Sequence, residues 1–346
     1  MSFFKKFFKN VIHDRDSEDD TIKVKGKPKP KYYGTVAPYP NFNASSDASV
    51  LQAAINSKDV EEDVIISVLA KRSNEQRQKI KVVYEASAGK RLDKALKSAL
   101  RSDLEDVTLA LIMAPAHFDA YLLRKATKGL GTNEDVLVEV LATRSNQQIV
   151  EIKRVFKEEY GEELEDIIKD ETSGDFTTAL LALLKANKAE STDVDNDLAQ
   201  RDAETLFEAG ENTSGVNVSA FIDVLTTRSG PQLKKTFQQY ACVSDVTLPK
   251  ALDMKLRGDI EDCLIDIVKC AWNTPAFFAE KLHLAMNRHG TCEKTLIRVM
   301  VSRSEVDLKR ILEEYRAMYN VSLQEDILKE TKGHYRDILL GLCGPH

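Results

Sequence analysis

Three features of the sequence predict an all-α fold made of four copies of one helical unit. Apolar residues recur at helical spacing, alternating strand patterns of useful length are absent, and one apolar run closing on arginine returns four times. The runs are VLAKRS at Arg72, VLATRS at Arg144, VLTTRS at Arg228 and VMVSRS at Arg303, at intervals of 72, 84 and 75 residues. Thirty residues after each arginine stands Ser102, Gly174, Gly258 or Gly333, and thirteen before it stands Asp59, Gly131, Gly215 or Gly290. Two fixed offsets around four anchors are hard to obtain by chance.

Residues 1–25 come first and read as an amphipathic tail. Phe3, Phe4, Phe7, Phe8, Val11 and Ile12 share one helical face, with Lys5, Lys6 and Lys9 opposite. Residues 26–45 read as an extended linker, because Gly26 to Pro40 holds four of the nine prolines. Four units of about 70 residues follow, at 46–116, 117–190, 191–274 and 275–346. In the second, Val136, Leu137, Val140 and Leu141 form one apolar face, and Thr132 with Asp135 resembles a capping box ahead of it. Ile149, Ile152, Val155 and Phe156 continue helical spacing, and Asp175 to Leu184 opens another apolar helix. The four arginines are read as structural, satisfying carbonyls or a carboxylate where helices meet.

Composition narrows the function. No apolar run approaches the ~20 residues of a membrane-spanning helix. The basic, aromatic N-terminus lacks the apolar core of a secretory signal, so the expected compartment is the cytosol. Residues 1–31 carry nine Lys/Arg against five Asp/Glu, whereas the remainder carries 40 against 50. An acidic body is repelled by nucleic acid and by anionic headgroups, so membrane binding would need a cation between the two. The five cysteines form no CxxC pair or zinc-like cluster and read as buried reduced thiols. The six histidines are paired with no Ser or Cys nucleophile, and GxSxG, P-loop and HExxH motifs are missing, so an enzyme is not expected. Asp193, Asp195, Asp197 and Glu204 imitate an EF-hand loop, but Leu198 stands at the position that needs glycine, so this reads as a solvated linker. The Arg257-Gly258-Asp259 tripeptide falls at a repeat junction, and Trp272 reads as packing.

Glycine loops precede three of the arginine runs: Lys128 to Thr132, Gly210 to Gly215 and Asn287 to Thr291. Forty residues past Gly131 and Gly290 stand Glu171 and Glu330. Loop carbonyls plus a remote bidentate carboxylate suit a hard cation held by two loops. Calcium takes about 6–8 oxygens at flexible geometry and tolerates such a set better than magnesium does. The positions left open suit a phosphate oxygen of a lipid.

Four repeats, KGLGT with its distant acid, and the arginine-to-glycine spacing resemble the annexin family over about 300 residues. The resemblance implies five helices per repeat in a curved disc, with calcium loops on the convex face and the tail on the concave one. It implies calcium ligands at the carbonyls of Thr127, Gly129 and Gly131, at Thr132 and at the carboxylate of Glu171. In repeat 4 Met286, Gly290 and Glu330 match, with Arg288 in place of the first loop glycine. In repeat 3 Gly210, Thr213 and Gly215 match, but Lys255 replaces the acid and should repel calcium. Repeat 1 lacks the glycine loop and offers Asp59, Val60 and Glu62. Secondary sites are implied at Lys97, Leu100 and Glu105, and at Asp253, Leu256 and Glu261.

The implied function is calcium-dependent binding to anionic phospholipid membranes, with several Ca²⁺ per chain. Vesicle aggregation, exocytosis and phospholipase inhibition are implied with it, as are peripheral placement on plasma and vesicle membranes when calcium rises and non-classical release from the cell. For the tail, three readings stand open: docking on its own core, binding a calcium-loaded EF-hand dimer through residues 2–12, which the resemblance implies, or lying in a second membrane. Nucleic acid is not expected as a partner. The rival class is a helical-repeat scaffold for proteins, independent of calcium.

Overall fold

The computed structural model describes residues 31–211, 215–287 and 289–345. The tail, the first residues of the linker, Thr213 and Arg288 lie outside the described residues. Among the described residues the secondary-structure elements are all helices. Repeat 1 contains α1 (Ala44–Asn56), α2 (Glu62–Leu69), α3 (Asn74–Ala88), α4 (Leu92–Ala99) and α5 (Ser102–Ile112). Repeat 2 contains α6 (Pro115–Thr127), α7 (Glu134–Thr143), α8 (Asn146–Tyr160), α9 (Leu164–Glu171) and α10 (Gly174–Leu184). Next come α11 (Asn196–Gly210), α12 (Val218–Thr227), α13 (Gly230–Val243), α14 (Leu248–Lys255) and α15 (Asp259–Met286). The chain closes with α16 (Glu293–Arg303), α17 (Leu308–Tyr319), α18 (Leu323–Glu330) and α19 (Gly333–Leu342). Helix α15 is two helices end to end: Asn273 is non-helical at φ −159° and ψ 94°, and Pro275 follows. Counting its halves separately, each repeat has five helices.

The chain divides into two compact units. Unit 1 joins Met1–Pro115 to Pro275–His346, so repeats 1 and 4 share a core; unit 2 is Ala116–Thr274. In unit 1, α19 packs on α2 and α5, and α16 packs on α5. In unit 2, α10 packs on α12 and α11 on α13. The cores are built from fully buried aliphatic and aromatic side chains such as Leu51, Leu69, Leu111 and Leu339 in the first, and Leu141, Phe156, Leu180 and Leu225 in the second.

The recurrent Arg-Ser pair is a stop and a start. Each of the first three arginines stands just past the end of its helix, and Ser73, Ser145 and Ser229 cap the next by accepting from the amides of Gln76, Gln148 and Gln232. Ser73 and Ser145 complete capping boxes with those glutamines. The arginines form bidentate ion pairs: Arg72 to Asp47 at 2.7 and 3.0 Å, Arg144 to Asp119 at 3.0 and 2.8 Å, and Arg228 to Asp202 at 2.8 and 3.2 Å. Repeat 4 departs in an instructive way. Phe278 stands where the corresponding aspartate would be, so the Arg303 guanidinium stacks over its ring at 4.4 Å and pairs instead with Asp307 at 2.7 and 2.8 Å. Asp307 is then the N-cap residue of α17 yet caps nothing with its side chain. The structural role expected of the arginines is what they perform.

Two expectations need correction. The cap of α7 is Asn133, whose side chain accepts from the Val136 amide at 3.3 Å, rather than Thr132, whose hydroxyl is engaged elsewhere. Cys263, Cys270 and Cys343 are buried, but Cys242 and Cys292 are exposed at the end of α13 and just before α16. Other readings hold: Trp272 stacks on Phe237 with centroids 6.3 Å apart, and Asp195 serves as the N-cap of α11 by accepting from Leu198.

The described part of the linker is fastened to unit 1. The amides of Thr35 and Val36 both donate to Ser304 O, the Lys309 amide donates to Tyr33 O at 2.9 Å, and Val36 is buried. Gln76 clasps the backbone of Tyr39 from both sides, at 2.9 and 3.1 Å. Unit 2 repeats the device: Gln232 clasps Asp195 at 2.8 and 2.9 Å, and the Ala189 amide donates to Thr227 O.

Candidate calcium and membrane site

In repeats 2, 3 and 4 the first and last of the expected positions are the end residues of two helices. Thr127 ends α6 and Glu171 ends α9; Gly210 ends α11 and Lys255 ends α14; Met286 ends α15 and Glu330 ends α18. A helix C-terminus leaves its last carbonyls without intrahelical partners and carries the negative end of the macrodipole. Two such ends aimed at one spot attract a cation before any carboxylate is counted. The turn after the first helix is closed alike in all four repeats. Ala54 O, Ala126 O, Ala209 O and Ala285 O accept from the amides of Glu61, Asn133, Asn217 and Cys292 at 2.8–3.1 Å.

Repeat 2 brings its expected residues together. The Thr132 hydroxyl lies 3.3 Å from both the backbone oxygen and Oε2 of Glu171, joining loops 39 residues apart. Gly129 and Gly131 adopt φ of +117° and +86°, which a side chain resists, and the backbone is thereby turned with Cβ positions facing open space. Buried Thr127 spends its hydroxyl on Leu123 O at 2.8 Å, within its own helix. Leu130 at the loop tip is fully exposed, and no sequence pattern had singled it out. Beside the loop, Tyr121, Arg124, Lys125, Lys128 and Tyr160 line a shallow pocket. In repeat 4 Gly290 has φ +92°, and Glu330 ends α18 just as Glu171 ends α9.

At the other expected positions the chain's own groups sit on the carbonyls. The Lys255 ammonium donates to Gly210 O at 2.5 Å and to Glu211 Oε1 at 2.6 Å. Arg101 donates to Leu100 O at 2.8 Å and reaches Lys97 O at 3.5 Å, and Arg257 donates to Asp253 O at 2.8 Å and Leu256 O at 2.6 Å. Both arginines close the last carbonyls of the helix just before them, a common C-terminal arrangement. The Glu261 carboxyl is held above its usual range, first by burial and then by Asp262 and Asp253. Glu105 lies in the first turn of α5. In repeat 1 Val60 O accepts from the Glu62 amide, Asp59 lies in the preceding bend, and the Glu62 carboxylate stands 3.7 Å from His334 Nε2. Among the described residues no helix is long and apolar enough to cross a membrane.

The family model described as Annexin matches four segments, residues 46–111, 118–183, 201–267 and 277–342. Annexin A1 of Cavia cutleri is 50% identical over 344 residues, and that of Homo sapiens 49%, each match covering 99% of both chains. Among solved structures, annexin III superposes with a TM-score of 0.89 at 44% identity, covering 91% of this chain and 98% of that one. A calcium-bound annexin (Sm)1 superposes at 0.82 with 29% identity, covering 91% and 94%. The chain therefore belongs to the annexin family, whose members bind phospholipid in a calcium-dependent way.

Proposed function

We propose that repeats 2 and 4 attach this chain reversibly to anionic phospholipid membranes by holding calcium between loop oxygens and lipid phosphate. The observation that carries the reading is the meeting of the Gly129–Gly131 loop with Glu171 at two helix C-termini. Carbonyls of Thr127, Gly129 and Gly131 with the Glu171 carboxylate make an all-oxygen set, the donor chemistry calcium prefers. Met286, Gly290 and Glu330 form the parallel set in repeat 4. Calcium supplies positive charge and open coordination positions that a phosphate oxygen completes. Lipid and ion then strengthen each other's binding, so affinity for calcium alone is weak. Arg124, Lys125 and Lys128 add local positive charge to an otherwise acidic body. Leu130 is placed to enter the headgroup layer beside the ion.

The same reading places the chain in the cytoplasm and at membrane surfaces when calcium rises. Vesicle clustering through the tail, or its capture by a calcium-loaded EF-hand dimer, would follow from residues 2–12. Sedimentation with phosphatidylserine vesicles tests the central claim. Pelleting is expected to require calcium and to reverse with EGTA. Glu171→Ala together with Glu330→Ala should raise the calcium needed by about 100-fold or more, since both sites lose their only carboxylate ligand at once. Pelleting that ignores EGTA, or survives the double substitution unchanged, would instead favour a protein-binding scaffold.

A further inference from the structure

The third repeat keeps the two helix ends that frame the calcium loop but carries a different cation between them. Gly210 ends α11 and Lys255 ends α14, so two helix C-termini converge there as they do at Thr127 and Glu171. At the place where repeats 2 and 4 present Glu171 and Glu330, forty residues past the loop's last glycine, the third presents an ammonium. That ammonium does not point away. It spans 45 residues of sequence to sit 2.5 Å from Gly210 O, the carbonyl that corresponds to Thr127 O and Met286 O, and 2.6 Å from the Glu211 carboxylate. Its stem lies against the Gly210 backbone: a Cβ added there would meet Lys255 Cδ at 3.5 Å and Nζ at 3.6 Å. The Lys255 side chain is three-quarters buried, which an ordinary surface lysine is not.

We propose that Lys255 is a tethered cation that takes the place of calcium in repeat 3, so that no calcium is taken up at the Gly210 carbonyl. An ammonium offers hydrogen bonds to the same oxygens that a calcium ion would coordinate, and it satisfies both the orphan carbonyl and the two helix dipoles. Its attachment to the chain removes the entropy cost of recruiting an ion. It also leaves no open coordination position for a lipid phosphate, so this third site does not bridge to lipid. The inference rests on the reading of repeats 2 and 4 as calcium sites.

The test counts calcium bound per full-length chain in the presence of phosphatidylserine vesicles, by equilibrium dialysis with radiolabelled ion. Lys255→Glu should add one calcium per chain and lower the calcium needed for half-maximal pelleting by about tenfold, as one added membrane ligand would. The same substitution placed on Glu171→Ala/Glu330→Ala should restore one ion to a chain that has lost its others. If the double variant keeps its calcium, the reading of repeats 2 and 4 fails. If it loses calcium and adding Lys255→Glu restores none, while circular dichroism shows the fold intact, the proposal about Lys255 fails. Crystals of the unsubstituted chain soaked in calcium give an independent answer. An ion bound at Gly210 O with Lys255 displaced would overturn the proposal even if the variant does not fold.

Discussion

At position 102 the chain holds serine where its other repeats hold glycine, and all four residues take a left-handed backbone. Ser102 lies at φ +56°, Gly174 at +64°, Gly258 at +78° and Gly333 at +65°. Each stands at the start of the fifth helix of its repeat, as its first residue or, for Gly258, the residue just before it, so the thirty-residue offset read from sequence is a requirement of backbone geometry. A Cβ in this region costs roughly 1–2 kcal/mol, partly offset by the entropy that glycine loses on folding. Ser102→Gly should therefore stabilise unit 1 by about 0.5–1 kcal/mol and raise its melting temperature by about 2 °C. A thermal scan showing no rise would mean that Ser102 is held by contacts that outweigh the strain. The residues that mark the repeat were legible because backbone geometry admits few alternatives at such positions. Phe278 was not, because an arginine deprived of one carboxylate can find another four residues along the chain, and sequence spacing alone does not say which.

At the scale of elements, the site is made by helix ends. Glutamates 27 residues past an anchor arginine could be matched to their loops from sequence, since both ends of that interval recur. The convergence of two C-termini, the contact between Thr132 and Glu171, and the seat of Lys255 on Gly210 could not, because each depends on how α6 meets α9 and how α11 meets α14. Leu130 was passed over for a related reason: among loop glycines a single leucine carries no periodicity, and only its full exposure marks it. If the loop enters the headgroup layer, partial burial of that side chain contributes on the order of 1 kcal/mol. Leu130→Ser should then weaken binding to phosphatidylserine vesicles about fivefold at fixed calcium, with no change in melting temperature. Surface plasmon resonance on supported vesicles would read this directly. Equal affinity for both chains would place the loop tip outside the membrane.

At the scale of the molecule, each of the two units is belted by an extended segment, the one leading into repeat 1 in unit 1 and the one joining repeats 2 and 3 in unit 2. The belt of unit 1 is residues 33–39, joined to the end of α16 through Ser304 O, to the start of α17 through Lys309 and to α3 through Gln76. It also carries stacking, with Arg72 over Tyr39 at 3.6 Å and Arg310 over Tyr33 at 4.3 Å. The proline content of this stretch marked it as extended, which it is, but extended backbone has no periodicity from which docking can be read. The belt of unit 2 uses the same clasp, Gln232 on Asp195, and adds Asn146, whose side chain holds both backbone groups of Lys188 at 2.8 and 3.1 Å. Because the belts are local to their units, cutting one should loosen only one. A chain beginning at residue 31 keeps the whole of the first belt, whereas a chain beginning at residue 43 loses its hydrogen bonds and the buried Val36. The belt's hydrogen bonds, at about 1 kcal/mol each, roughly offset the ordering of its residues, so the second truncation should cost unit 1 about 2 kcal/mol, chiefly the burial of Val36. Hydrogen exchange followed by mass spectrometry separates the outcomes. Amides around Ser304 to Leu308 should lose protection in the shorter chain alone, while peptides of α12 and α13 exchange as before. If protection falls equally in both units, or in neither, the belts are not independent fastenings and the two cores share their stability.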